Sequence, residues 1–523
     1  MGSFKCLFLA FAKFVILFVF SNGGSHALRI LAIYPTPSIS HQVVFRKITL
    51  ELLERGHQLV VITTDPIYRK GTGPKNLTEI DIHDISYSEW SKSRMTNEEK
   101  YETKNEIVSI FHAILHLFEI QMASKEVQKI LNDKTQKFDL LLFEAYLSVI
   151  LGFSHIFKAP VIQISSYGSG VEGYEIVGAS THPLIHPSII HKRIYNLTAW
   201  DKLDKLYVHF CNDFLTHIID DKIGDMLKRV FGPDVPSIDE LKCNVDMLML
   251  NIHPIWDMNR PVPANAIYMG GIHQEPREEL PEDLKNYMDS SQRGVIYVSF
   301  GTNVEPSLFP SAKLNSIINA LSRLPYDVLW KWNKDKFHIH TKNIRTSKWF
   351  PQANLLRHPN LKLFVTQGGL QSTDEAITAG VPMIGIPMMI DQWYNVEQYV
   401  KHGIGLHISL SSITEESFLN AVTDIINNDR YRQNIIRLRS YMLDEPMKPI
   451  DRALWWIDYV THHGAKHLRS PSANLSFVQY YELELICYLV VVTLLLIFLI
   501  ICIIKRICNI IWRQKFNLKL KNN

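Results

Sequence analysis

From Trp349 to Asn395 the chain reads WFPQANLLRHPNLKLFVTQGGLQSTDEAITAGVPMIGIPMMIDQWYN. The strand-like run Leu361–Thr366 ends in Gln367-Gly368-Gly369, and a helical pattern follows, opened by Ser372 with Glu375 three residues on. Paired glycines let backbone approach a ligand closely. A helix N-terminus offers free N–H groups and partial positive charge, which suits a phosphate. Ser372-Thr-Asp-Glu375 is equally a capping box, so spacing alone leaves both readings open. In the other half, His41 closes Pro37-Ser-Ile-Ser-His41, just after the first strand. A neutral imidazole there can take a proton from a hydroxyl. Among 22 histidines, position alone also permits a capping or buried one.

Those residues need a frame. Arg29–Tyr34 reads as a strand and Gln42–Arg55 as an amphipathic helix, with Val44, Ile48 and Leu52 at four-residue spacing. Leu59–Thr63 is a second strand, and a β-α-β opening implies a parallel sheet. Residues 102–132 read as mostly helical, with strands at Phe138–Phe143, Pro160–Ser165 and Val245–Asn251 and a helix over 202–230 between the last two. The pattern restarts at Gly294–Phe300, with the helix Ser311–Leu324, the strand Val328–Trp332, a second β-α-β run over 361–387 and helices at Asp391–His402 and Glu415–Tyr441. The expected fold class is α/β: two Rossmann-like domains, 28–265 and 266–480, facing across a cleft and joined through Pro-rich residues 254–281. Ligands in such folds sit at the carboxyl ends of the strands.

The 523 residues are too many for one core. An apolar share of 46% against 20% charged marks a folded chain, and a net charge of +3 supplies no basic field for nucleic acid. Residues 1–27 read as a cleaved signal peptide, with Lys5, the apolar run Leu7–Phe20 and Ser25-His26-Ala27. Leu485–Ile504 carries no charge across 20 residues, enough for one transmembrane helix spanning ~30 Å. The tail 505–523 holds Lys505, Arg506, Arg513, Lys515, Lys519 and Lys521 and no acid, which makes it cytosolic and the body lumenal. Lys519-Leu-Lys521-Asn-Asn523 resembles a spaced dilysine retrieval signal; a basic anchor at anionic lipid is the plainer alternative. The expected location is a single-pass type I protein of the endoplasmic reticulum membrane. Of six cysteines only Cys211 and Cys243 fall in the lumen, too few for a disulfide framework. Asn76, Asn196 and Asn474 head Asn-x-Ser/Thr acceptors, so glycosylation is expected.

The 47-residue segment resembles the signature of the UDP-glycosyltransferase family over nearly its whole length. The likeness extends from the leader to the basic tail and is closest to arthropod members. It implies the GT-B form of the fold, with acceptor bound by the first domain and UDP-sugar by the second. Trp349 matches the aromatic that stacks on uracil, and Gln352 a glutamine near the nucleoside. Glu375 matches the acid taking the ribose hydroxyls, and Ser372 a hydroxyl at the phosphates. Gly368 and Gly369 match the phosphate loop, and Gly301-Thr302 the strand-end turn near the diphosphate. Asp391 and Gln392 match the pair holding the sugar, with Gln371 where plant relatives have asparagine. Gln367 departs from the usual histidine; such a variant occurs among arthropod and insect-virus members. His41 matches the family's base, supported by Leu53-Glu-Arg-Gly-His57, and Glu144 its orienting carboxylate, where many relatives have aspartate. Asp139 competes for that role from the wrong end of the strand.

The resemblance implies inverting transfer of a hexose, with glucose expected, to a small lipophilic acceptor of xenobiotic, phenolic or steroid-like type, as in detoxification. UDP-sugar is a co-substrate; no cofactor or metal is expected, and no Asp-x-Asp motif occurs. The alternatives are a catalytically weak lumenal binding protein and a membrane-lipid glycosyltransferase. Oligomeric state is left open, a homo-oligomer included. Gly168-Ser-Gly170-Val-Glu-Gly173 is a literal GxGxxG, declined because Tyr174–Pro183 shows no helical amphipathy, and an acceptor-side loop is preferred. His112 and His116 stand i,i+4 without a third ligand, and the helical region 107–122 reads as core before cleft wall.

Overall fold

Residues 27–95, 105–333 and 341–521 are described in the computed structural model. The expected leader lies outside them except for Ala27. The first sheet contains β1 (Arg29–Tyr34), β2 (Gln58–Thr63), β3 (Leu77–Asp81), β4 (Leu140–Glu144), β5 (Val161–Ser165), β6 (Val245–Leu250) and β7 (Ala266–Tyr268). Its order is β3-β2-β1-β4-β5-β6-β7. The second contains β8 (Val295–Ser299), β9 (Asp327–Lys331), β10 (Ile344–Ser347), β11 (Leu361–Thr366), β12 (Met383–Gly385) and β13 (Gly405–His407), in the order β10-β9-β8-β11-β12-β13. Pairing is parallel throughout, from β1 with β2 to β12 with β13. The helices that matter for the cleft are α1 (Ile39–Glu54) in the first domain, and α2 (Leu370–Ala379) and α3 (Gln392–His402) in the second.

Both faces of each sheet are covered, which is why the strands read as continuous apolar runs. Leu31 and Ile33 of β1 enter one buried cluster, while Ile30, Ala32 and Tyr34 enter another. Val295 and Tyr297 of β8 divide from Ile296 and Val298 in the same two-residue rhythm. The result is two Rossmann-like domains facing across a cleft, the GT-B arrangement. Trp256, fully buried, is the joint between them. Its indole N–H donates to Asn395 Oδ1 (2.8 Å), and its carbonyl accepts from Tyr394 Oη (2.9 Å) and Gln398 Nε2 (3.0 Å) of α3.

Several boundaries differ from expectation. The division at 265/266 falls inside the first sheet, because Ala266–Tyr268 pairs with β6. A three-residue strand is too short for alternation to show, so the Pro-rich stretch concealed it. The second domain does not keep everything to 480 either. Helix α4 (Pro449–His463) packs Ala453, Leu454, Ile457 and Val460 into the cluster of Ile30 and Ala32. The chain thus crosses between domains twice, after β7 and before α4. The helical stretch expected over Glu415–Tyr441 is formed by two helices, Glu415–Asn427 and Arg430–Leu443.

Helix α5 (Leu483–Lys521) contains the expected span 485–504 and runs on through the basic residues. Its segment Leu483–Lys515 has a mean hydropathy of 3.3 over its most apolar window and packs none of that window into the body. It is long and apolar enough to be a membrane anchor.

Candidate active site

β1 ends at Tyr34, and Pro35–Ser38 turn the chain into α1, which places His41 in that helix's first turn. Glu144 is the last residue of β4, the neighbouring strand, so both side chains meet at the carboxyl edge of the sheet. His41 Nδ1 lies 2.8 Å from Glu144 Oε1, and Glu144 Oε2 accepts from Thr36 N at 3.1 Å. The carboxylate is fully buried and the imidazole 15% exposed. A ring nitrogen facing a carboxylate carries the proton, so Nε2 is left with the lone pair. Asp139, the competing carboxylate, accepts from Arg29 N at the far end of the same strands.

Two aromatic residues beside His41 were not singled out from sequence. The rings of Tyr146 and Tyr167 each stand 5.4 Å from the imidazole and stack on one another at 4.4 Å. Tyr146 is fixed through its hydroxyl, 2.6 Å from Ser165 Oγ. Its position two residues beyond Glu144 was the only available signal.

Across the cleft, α2 begins two residues earlier than expected. Its N-cap is Gly369, with no side-chain cap, and Ser372 lies inside the first turn. The capping-box alternative is therefore overturned: no side chain caps the terminus, the Leu370 N–H faces the Asp391 carboxylate, and the amides beyond it can meet a ligand. Ser372 and Glu375 instead converge on Gln352, whose Nε2 donates to Ser372 Oγ (2.9 Å) and Glu375 Oε2 (2.7 Å). Burial raises the Glu375 carboxyl, and the Gln352 bond offsets part of that rise. Trp349 is 62% exposed, a bare indole surface for so large an apolar ring. Lys331 Nζ sits 4.6 Å from its centroid and donates to Gly301 O at 3.0 Å. Lys331 too was missed: its sequence reads as the end of an apolar strand.

Gly301 (φ 69°) and Gly368 (φ 91°) need the left-handed region. A Cβ at Gly301 would fall 2.2 Å from Gln367 Nε2, and one at Gly368 2.6 Å from Val396 Cγ2. The buried Gln367 amide therefore packs directly on the Gly301-Thr302 turn, with Gly369 beside it.

The sugar-side residues separate. Asp391 is half-buried next to the cleft, and desolvation pushes its carboxyl up to about 6, partly offset by a bond from Asn395 and the charge of His41 opposite. Asn395 Nδ2 donates to both Asp391 Oδ2 and Gly368 O at 2.8 Å, tying the Trp256 joint to the site. Gln392 Oε1 accepts from Met388 N and Met389 N, at 2.9 and 3.1 Å. Gln371 reaches over the cleft to donate to Ser166 O at 2.8 Å. Asn303 makes a second crossing bond, to Ser38 Oγ at 3.2 Å.

The remaining expectations have mixed outcomes. Helix Val171–Val177 does follow Gly170, contrary to the expected lack of one, but Tyr174 Oη fills the loop ahead of it. Asn76 has its amide nitrogen engaged by Leu53 O and His57 O, while Asn196 is exposed. Asn474 is half-buried, with Nδ2 3.4 Å from the Cys243 sulfur. Cys243 is a free thiol; the Cys211 side chain lies outside the described residues. His112 and His116 are exposed, and no metal-binding group of three forms among the described residues. Residues 115–122 put Leu115, Phe118 and Met122 in the core.

The family model for UDP-glucoronosyl and UDP-glucosyl transferase matches residues 30–521. An ecdysteroid UDP-glucosyltransferase of Spodoptera littoralis nuclear polyhedrosis virus is 37% identical over 88% of this chain and 94% of its own. UDP-glucosyltransferase 2 of Dactylopius coccus is 30% identical over 98% and 99%. Among solved structures, a UDP-glucose:anthocyanidin 3-O-glucosyltransferase in complex with UDP aligns with TM-score 0.57 at 16% identity, covering 83% of this chain and 98% of that one.

Proposed function

The chain belongs to the UDP-glucoronosyl and UDP-glucosyl transferase family, and we propose that within it this enzyme transfers glucose from UDP-glucose to a hydroxyl of a steroid-like acceptor, with inversion. The enzyme is a UDP-glycosyltransferase; sugar, acceptor and stereochemistry are the proposal. The observation that carries it is the His41–Glu144 pair facing Asp391 and α2 across one cleft. Relatives named for ecdysteroid glucosylation, 30–37% identical, support the acceptor class.

In this reading the acceptor oxygen lies at His41 Nε2. The imidazole takes its proton as the oxygen attacks the anomeric carbon, and the bond to the diphosphate breaks with its electron pair leaving on UDP. Glu144 holds the ring and stabilises the imidazolium as it forms. Trp349 stacks the base, Glu375 takes the ribose, and α2's free amides with Gly368 and Gly369 receive the diphosphate. Gln367 cannot carry charge, so we assign the positive contribution to Lys331. With those groups receiving the leaving charge, the reaction is proposed to need neither metal nor cofactor. Helix α5 is proposed to anchor the body on the lumenal side of the endoplasmic reticulum membrane, with Asn196 the most accessible glycan acceptor.

The test is transfer by the purified full-length protein with UDP-glucose, UDP-glucuronate and UDP-galactose, each against an ecdysteroid, a phenol and a ceramide. Glucoside formation on the ecdysteroid is expected. Preference for ceramide would move the enzyme to lipid glycosylation, and preference for glucuronate would overturn the donor.

A further inference from the structure

Between the two chain crossings and α2 lies a cavity of about 230 Å³, separate from the cleft. His253, Gly270, Gly271 and Gln274 line it from the first domain, and Asp374, Ile377 and Thr378 from α2. Met442, Leu443, Glu445 and Met447 to Pro449, on the return crossing, close it. Asp374 is only 3% exposed, and its Oδ2 has no hydrogen-bond partner among the described residues. An unpaired buried acid is costly, and such a group calls for a partner. Burial and the charge of Glu375 raise its pKa well above the usual carboxylate range, as expected where no donor compensates. Glu445, the other acid in the wall, is already served by Arg452 (2.9 Å) and His253 (3.5 Å). Lys448, the cation in the same wall, is exposed and makes no ion pair with Asp374 among the described residues, so Asp374 is the acid left without a partner.

We propose that this hinge cavity is an effector site for a small apolar amine, its ammonium on Asp374 and its body against Ile377, Met442, Leu443 and Met447. Size fits the class: an apolar cavity of ~150 Å³ holds benzene, so this one takes a single ring with a short ammonium arm. Charge fits as well: an ammonium beside Asp374 stabilises the ionised form and lets the carboxyl release the proton that burial makes it hold, whereas a neutral hydroxyl offers only a hydrogen bond.

Binding here bears on the donor site. Asp374 lies on α2, whose N-terminus faces the phosphates, and on a different face from Ser372 and Glu375. The walls come from both domains, so the cavity has this shape only in the arrangement that lets Gln371 reach Ser166 and Asn303 reach Ser38. A ligand fitting that arrangement draws the population toward it. Amine and UDP then tighten one another's binding by the same factor.

The experiment uses the full-length protein in detergent, with benzylammonium chloride as probe and benzyl alcohol plus matched sodium chloride as controls. Thermal midpoint and UDP affinity are read together. In the wild type benzylammonium is expected to raise the midpoint and tighten UDP by about fivefold or more, and the controls to do neither. Asp374→Asn and Met447→Trp, which fills the cavity from its rim, should bind UDP without amine yet lose the response. No response in the wild type, an equal response to benzyl alcohol, or an undiminished response in either folded variant would overturn the proposal. Should Asp374→Asn fail to fold, Met447→Trp decides. The coupling rests on UDP binding, and that binding without amine is scored separately; if UDP does not bind, the midpoint still reads the cavity.

Discussion

On the donor wall, Trp349, Gln352, Gln367 to Gly369, Ser372 and Glu375 come from 27 consecutive residues. Trp349 and Gln352 stand in a loop and at the start of the short helix Gln352–Leu356, and one strand, one turn and one helix terminus place the rest. The acceptor wall takes His41 from the start of α1, Glu144 from the end of β4 and Tyr167 from beyond β5. Over a hundred residues separate the hydrogen-bonded pair. The donor wall spreads its work over several backbone amides and side chains, so no single group carries most of the binding. The acceptor wall puts its chemistry on one imidazole and one buried carboxylate. Loss of a part should therefore look different on the two sides.

The largest effect is expected at the concentrated wall. His41→Ala should lower kcat by roughly 10²–10⁴-fold, the usual contribution of a positioned base, and leave UDP affinity close to wild type. Comparable losses in both would break the division of labour. Next comes Asp391, whose carboxyl rises from 3.8 to about 6 on folding. The folded protein then holds a proton that the unfolded chain releases between those values. Stability from this group is present at low pH and falls as pH rises through the window, by up to roughly 3 kcal/mol. Ligand-free Asp391→Asn should accordingly resist denaturant better than wild type above pH ~6, with the gap closing as pH drops. Denaturation midpoints against pH measure it, and a constant gap would contradict the assignment.

Trp349→Ala should weaken UDP by about 5- to 150-fold, the worth of one stacked base, with kcat at saturating donor little changed. Equilibrium titration with UDP checks this. The smallest effect is expected where the walls touch. Gln371→Ala removes the bond to Ser166 O and should raise the acceptor KM by about 2- to 10-fold, more than the donor KM. A larger change in donor KM would return Gln371 to the sugar.

Legibility in the sequence follows the same divide. Local patterns report local structure, so β11, the glycine turn and α2 could be placed to within two residues. His41 and Glu144 were reachable through strand-end logic and family likeness, because a parallel sheet collects strand ends at one edge. Tyr146, Tyr167, Lys331 and Asn395 were not, since their roles exist only through neighbours distant in sequence. Gln392 shows the converse. Its motif suggested a ligand contact and gave no sign of the structural bonds its oxygen accepts from the amides of Met388 and Met389. The domain boundary was misplaced for want of length in β7, and the return of α4 left no local mark at all.

The claim that one base across the cleft drives a single displacement is tested most directly by the anomeric configuration of the product. UDP-α-glucose and an ecdysteroid would be incubated with the full-length enzyme and the glucoside examined by NMR. The account predicts a β-linked glucoside with one UDP released per glycoside. An α-linked product would contradict it.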